Sequence, residues 1–167
     1  MKLGDGVEQA IHCTLMLSRL HPDGALPAAA LAEFHGLSAS YLLKHLQALA
    51  AAGVLVSVPG PRGGYRLARA PDQITLLDIV LAVEGAAPAF RCTEIRQRGP
   101  DVLAPKFYAK PCRVSTAMLN AERAYREELR RVTLAELSGD PTTPLAQAIE
   151  KRNCAFLERH ERRPADN

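Results

Sequence analysis

Residues 27–67 carry the pattern that most restricts the fold. A short helical segment is followed by a glycine, a second capped helix, and a glycine-rich basic hairpin. Pro27 stands at the first turn of the first segment, where its missing N–H costs nothing, and the segment runs to Phe34. His35-Gly36-Leu37 breaks it. Ser38 is placed to cap a second helix that runs to Ala52 and stops at Gly53, with Leu42, Leu46 and Leu49 on one face. The β-branched run Val54-Leu55-Val56-Ser57-Val58 then meets Pro59-Gly60-Pro61-Arg62-Gly63-Gly64, and Tyr65-Arg66-Leu67 returns as a second strand. A helix pair closed by such a hairpin has the order of a winged helix-turn-helix. In that arrangement one helix offers its N-terminal turn to the major groove while the other braces it.

The flanks read as further helices. Val7, Ala10, Ile11, Thr14 and Leu17 give one apolar face to residues 6–20, and His21-Pro22-Asp23-Gly24 forms a turn. Residues 75–83 make a short apolar helix ended by Gly85. Residues 86–111 are irregular, with Pro88, Pro100, Pro105 and Pro111; a loop of this length is functional or disordered. A long helix is expected over 113–137, where Val114, Met118, Ala121, Tyr125, Leu129 and Val132 recur at helical steps. Glu122 with Arg126, and Glu127 with Arg131, can pair across one turn. So long a helix on so small a domain implies a symmetry mate, hence a homodimer. Residues 144–160 form a last short helix before a frayed basic tail.

The expected fold class is mainly α with a small β-hairpin wing: a winged helix-turn-helix domain plus a long dimerisation helix. The divisions are 1–85 for DNA binding, 86–112 for a cluster-binding loop, 113–138 for dimerisation and 139–167 for the tail. Aromatic residues are 5% of the chain and Trp is absent, so the core must be built from Leu, Val, Ile and Ala. Asp5 and Glu8 fall too early for a secretory signal, and no apolar run reaches the ~20 residues that span a bilayer, so a cytoplasmic protein with no membrane partner is expected. Four cysteines in a reducing compartment point to metal, cluster or redox duty rather than to a disulfide framework. No nucleotide-binding glycine motif and no nucleophile–base pair stands out, so an enzyme is not expected.

The candidate DNA contacts are Ser38, Ser40, Tyr41 and Lys44 at the start of the recognition helix, with His45 beside them. In the wing they are Arg62, Gly63 and Gly64. Hydroxyls and cations at a helix start can meet phosphates or base edges, and glycine lets a wing backbone approach a groove closely. Arg66 and Arg69 extend the same basic edge. The net charge of +3 permits this reading without carrying it.

Three blocks in order, S-x-x-Y-L-x-K from Ser38, G-x-x-G-G-Y-x-L from Gly60 and I-T-L-x-D-I-x-x-A-V-E-G from Ile74, resemble the bacterial regulator family that includes IscR and NsrR. The resemblance covers residues 1–137. It implies homodimeric regulators of transcription that bind a double-stranded operator, many of them sensing through iron–sulfur clusters.

Cluster-binding members carry three closely spaced cysteines in the loop after the A-V-E-G helix. Here the loop holds Cys92 and Cys112, with nineteen residues between them. The block FRCTEIRQRGP is similar to the RsrR-type redox sensors of the family, whose two-iron cluster uses two Cys, one Glu and one His. That resemblance implies a [2Fe-2S] cluster held by Cys92 and Cys112 of one subunit and Glu8 and His12 of the other. Glu8 and His12 stand one turn apart on the first helix, flanking its buried stripe. Without the resemblance, the pair reads as an ordinary surface pair. Cys13 reads as a small buried residue, and Cys154 as core or an idle thiol. The alternative is a cluster-free regulator of the same fold, with Cys92 and Cys112 as a thiol switch or the loop binding a small ligand.

Overall fold

The computed structural model describes residues 3–163. Its elements are α1 (Asp5–Leu17), α2 (Ala28–His35), α3 (Ala39–Ala51), β1 (Leu55–Val58), β2 (Gly64–Leu67), α4 (Leu76–Glu84), α5 (Arg113–Arg131) and α6 (Pro144–His160). The architecture is mainly α with a two-stranded antiparallel wing, as expected.

The stripe Leu42, Leu46 and Leu49 of α3 is fully buried, together with Leu31 of α2, Ile79 of α4 and Leu26. Cys13 of α1 belongs to the same cluster, with Thr14 buried beside it, so Cys13 is a core residue. Burial pushes its thiol up to about 12, which leaves it protonated and inert. Both helices of the pair close alike. Gly36 and Gly53 adopt left-handed φ values of 65° and 69°, which glycine tolerates without a Cβ clash. The following N–H groups then reach back, Leu37 to the Ala32 carbonyl and Val54 to the Leu49 carbonyl. In the wing Leu55 pairs with Leu67 and Val58 with Gly64. Thr75 and Asp78 form a reciprocal capping box that starts α4.

Two expectations are corrected beyond the wing. The long helix ends at Arg131, not at 137. Val132 turns extended, and Thr133 bridges to Thr75. The Leu134 N–H donates to the Ile74 carbonyl at 2.8 Å and the Leu134 side chain is fully buried. β-branched Val132 and Thr133 favour this extended return, and the apolar residues beyond Arg131 are taken up by strand-like pairing instead of helical repeat.

The C-terminal helix lies at residues 144–160, as expected, but the chain just after it is not frayed in the described residues, since Arg162 pairs with Ala25. α6 has 17 residues, starts at a capping Thr143 and buries Asn153, Phe156 and Leu157. Phe156 meets the Phe34 ring edge-on at 4.9 Å, Arg152 lies over Phe34 at 4.3 Å, and Glu150 pairs with Arg19, just past the end of α1. Cys154 faces outward and its thiol donates to Glu150, so it is not core.

Leu134 tests the return of the chain into the core. Leu134→Ala should destabilise the protein by about 2–5 kcal/mol, the range for emptying a buried leucine site. The urea midpoint should therefore fall while the slope of the transition stays the same.

Candidate DNA-reading face and cysteine loop

The first turn of α3 is open to solvent. Ser38, Ser40, Tyr41 and Lys44 are all exposed. Ser38 stands at the N-cap position, yet its hydroxyl makes no capping bond and meets Ser40 Oγ at 3.1 Å instead. His45 departs from its expected place. It is buried, its ring lies against Gly6 of α1, and Tyr41 packs edge-on at 4.7 Å. Burial, reinforced by Lys44, lowers its pKa and favours the neutral ring. The helical period explains the miss: position 45 lies beside the stripe residues 42, 46 and 49, and only the absence of a side chain at Gly6 leaves room for an imidazole there.

In the wing, Arg62 is exposed at the tip, whereas Gly63 is buried. A Cβ on Gly63 would collide with the Val58 carbonyl oxygen, and one on Gly64 would lie 2.5 Å from the Leu26 backbone. Close packing of the hairpin on itself and on Leu26 is thus sufficient reason for both glycines. Arg66 and Arg69 also turn inward to the protein: Arg66 donates to the Pro22 carbonyl and Arg69 to the Gln73 carbonyl. Arg62 is the cation that the wing leaves outward.

The loop between α4 and α5 is tied down at its start by Glu122. This buried carboxylate accepts the Ala89 N–H at 3.0 Å and pairs with Arg126, which donates to the Ala86 and Ala87 carbonyls. Farther on, the chain brings Cys92 to Cys112. One donor atom each from Cys92, Glu94 and Cys112 lies within 4.8 Å of the others. Glu94 takes a left-handed φ of 49°, uncommon for a residue with a side chain. Its carboxylate accepts a forked pair from Arg96 at 2.5 and 2.8 Å, which lowers its pKa. Arg96 also donates to the Lys110 carbonyl and lies over the Tyr108 ring, while the Tyr108 hydroxyl donates to the Arg96 carbonyl at 2.9 Å. This set of bonds closes the loop on itself.

Cys112 occupies the N-cap position of α5. The backbone N–H groups of Ser115 and Val114 hold its thiol below the ordinary range, and Arg96 adds to the effect. Cys92 is exposed and Cys112 half-buried. Glu8 and His12 lie exposed on α1, outside the set of donors that converge within one chain. The sequence reading passed over Glu94 and Arg96. The Cys-x-Glu-x-Arg spacing was visible, but nothing in it says that a left-handed residue would aim the carboxylate at the sulfurs.

The model of the Rrf2 family, described as an iron-dependent transcriptional regulator, matches residues 3–140. The chain belongs to the Rrf2 family. It is 32% identical to YffB of Lactococcus lactis over 84% of this chain and 88% of that one. It is 36% identical to the HTH-type transcriptional regulator IscR of Aliivibrio salmonicida over 55% of each chain. Among solved structures, CymR, the global cysteine regulator of B. subtilis, superposes with a TM-score of 0.60 at 25% identity, covering 82% of this chain and 95% of that one. The fold of T. potens IscR is similar, with a TM-score of 0.60 at 24% identity and 91% of each chain covered. Nothing in these matches singles out the RsrR-type sensors. Membership places the chain among DNA-binding regulators of transcription rather than among catalysts. Among the described residues, no helix is long and apolar enough to cross a membrane.

The cysteines should differ in reactivity. Thiolate is the reacting form, and a lowered pKa moves the rise of rate with pH to lower pH. In metal-free protein, Cys112 should therefore be alkylated by iodoacetamide at a lower pH than Cys154, whose thiol is raised by its bond to Glu150. Cys13 should react on unfolding only. Peptide mass spectrometry across pH 6 to 9, a range set by the ordinary thiol pKa of about 8.5, reads all three.

Proposed function

We propose that this chain is a redox-responsive regulator that binds a double-stranded DNA operator as a cytoplasmic homodimer and reads its signal at Cys92 and Cys112. The convergence of those two sulfurs beside the start of α5 carries the reading. Support for the dimer comes from α5, where Val114 and Met118 are 63% and 45% exposed, side chains that a symmetry mate would cover. Ser38, Ser40, Tyr41 and Lys44 face the major groove, and Arg62 meets the backbone beside it. Gly63 and Gly64 let the hairpin fold closely enough to present Arg62.

Two chemistries suit the centre. In the first the thiols are the switch. Cys92 and Cys112 lose two electrons and two protons to a disulfide- or peroxide-class oxidant and form one S–S bond. Their sulfurs start within 4.8 Å, and the favoured thiolate of Cys112 is the attacking group. This version draws every group it needs from one chain.

In the second the sulfurs hold a [2Fe-2S] cluster, which supplies one-electron redox chemistry. Such a cluster needs four protein ligands. The donor types suit iron, but one chain gathers three, and Glu94 is already engaged by Arg96. Glu8 and His12 of a second copy complete the set with Cys92 and Cys112. Both are exposed on α1 and free to face a partner, and the family's iron dependence favours this version.

Anaerobic purification separates the two. About two irons and two sulfides per chain, lost in Cys92→Ala and Cys112→Ala and in Glu8→Ala/His12→Ala, mark the cluster. A colourless protein that loses two thiols reversibly on oxidation marks the switch. Operator affinity indifferent to oxidant in the wild type refutes both.

On the DNA side, Lys44→Ala and Arg62→Ala should each weaken operator binding and lower the slope of log affinity against log salt by about one. Fluorescence anisotropy at several salt concentrations measures this, and unchanged affinity in both variants removes the reading surface.

A further inference from the structure

The wing is small. Two strands of four residues each are marginal as an independent hairpin, so something must hold the tip if Arg62 is to meet DNA at a fixed place. The brace comes from the far end of the chain. Beyond α6, Arg162 pairs with Ala25 through both backbone bonds: Ala25 N–H to the Arg162 carbonyl at 2.9 Å and Arg162 N–H to the Ala25 carbonyl at 2.8 Å. Next along, Leu26 pairs with Tyr65 of β2 in the same reciprocal way, at 3.0 and 2.9 Å. The C-terminal segment thus lies one step outside the chain that edges the wing. From there the Arg162 guanidinium donates to the Pro61 carbonyl at 2.6 Å, with the Gly63 carbonyl at 3.5 Å. Those two carbonyls flank Arg62.

We propose that Arg162 is a positioning residue for operator binding, pinning the wing turn so that Arg62 is presented to the duplex. A charge-assisted bond to the turn's carbonyls lessens the conformational freedom that binding would otherwise have to remove. The segment is itself anchored. Phe156 and Leu157 are buried, Arg152 donates to the Phe34 carbonyl, and Glu161 accepts the His21 N–H at 2.7 Å. Arg162 lies outside the residues 3–140 that match the family model. The inference rests on the reading of the wing as a DNA contact, and a parallel Arg62 variant tests that reading separately.

The experiment measures operator affinity against salt for full-length wild type, Arg62→Ala, Arg162→Ala and Arg162→Lys, alongside thermal unfolding. Arg162→Ala should weaken binding by about tenfold, the scale of one charge-assisted hydrogen bond, with the salt slope and melting temperature unchanged. Arg162→Lys, which retains one cationic donor, should recover most of the loss. Arg62→Ala should weaken binding and lower the slope by about one. Wild-type affinity in Arg162→Ala with a weakened Arg62→Ala overturns the brace. A slope lowered by about one in Arg162→Ala makes Arg162 a phosphate contact and also overturns it. So does an affinity loss that tracks a lower melting temperature and is not recovered by lysine. If neither arginine matters, the wing reading fails and the brace with it.

Discussion

Burial of the α3 stripe governs the rest of the molecule. Leu42, Leu46 and Leu49 have no exposed surface, enclosed by α1, α2 and α4. Removing three leucine side chains from water is worth several kcal/mol in all, and it fixes the rotation of the helix about its axis. Once that rotation is set, Ser40, Tyr41 and Lys44 have nowhere to point but outward. The exposed face of α3, the proposed DNA-reading surface, is thus a by-product of the packing, and any slip in the stripe would bury it.

α1 stands between the two proposed functional regions. On one flank it carries Glu8 and His12 in the open, and near its start Gly6 receives the His45 ring of α3. A single helix therefore touches α3, the proposed reading helix, and carries the residues proposed to complete the proposed sensing centre. The loop that holds Cys92 and Cys112 is fastened by Glu122 and Arg126 of α5 and by its own Arg96–Glu94–Tyr108 bonds. α4 and α5 pack together in turn. A change of charge or bonding at the loop thus meets rigid elements rather than slack chain.

The C-terminal segment extends the same logic. Phe156 and Leu157 add apolar surface to a core that the winged domain already possesses, and from its last pairing, with Ala25, the segment reaches the wing turn through the Arg162 side chain. An element outside the family match is by this route built against the wing that is proposed to meet DNA.

The order of elements was legible because period and punctuation are local. Leu42, Leu46 and Leu49 recur at helical steps, Gly36 and Gly53 stop their helices, and Gly60-Pro61-Arg62-Gly63-Gly64 turns a hairpin whatever surrounds it. The exposure of Ser40, Tyr41 and Lys44 follows from the phase of that stripe, and that of Arg62 from its place at the hairpin tip. What needed tertiary structure was every contact between residues far apart in sequence. Whether position 45 is inside depends on Gly6, and the end of α5 depends on Ile74 offering its carbonyl to Leu134. Likewise Glu94 faces the sulfurs only because the loop closes on Cys112, and Arg162 finds the wing only because α6 docks first. Periodicity reports which side of an element is apolar; it carries no information about which distant backbone or side chain will meet that side, since such pairings are decided by the packing of the whole chain.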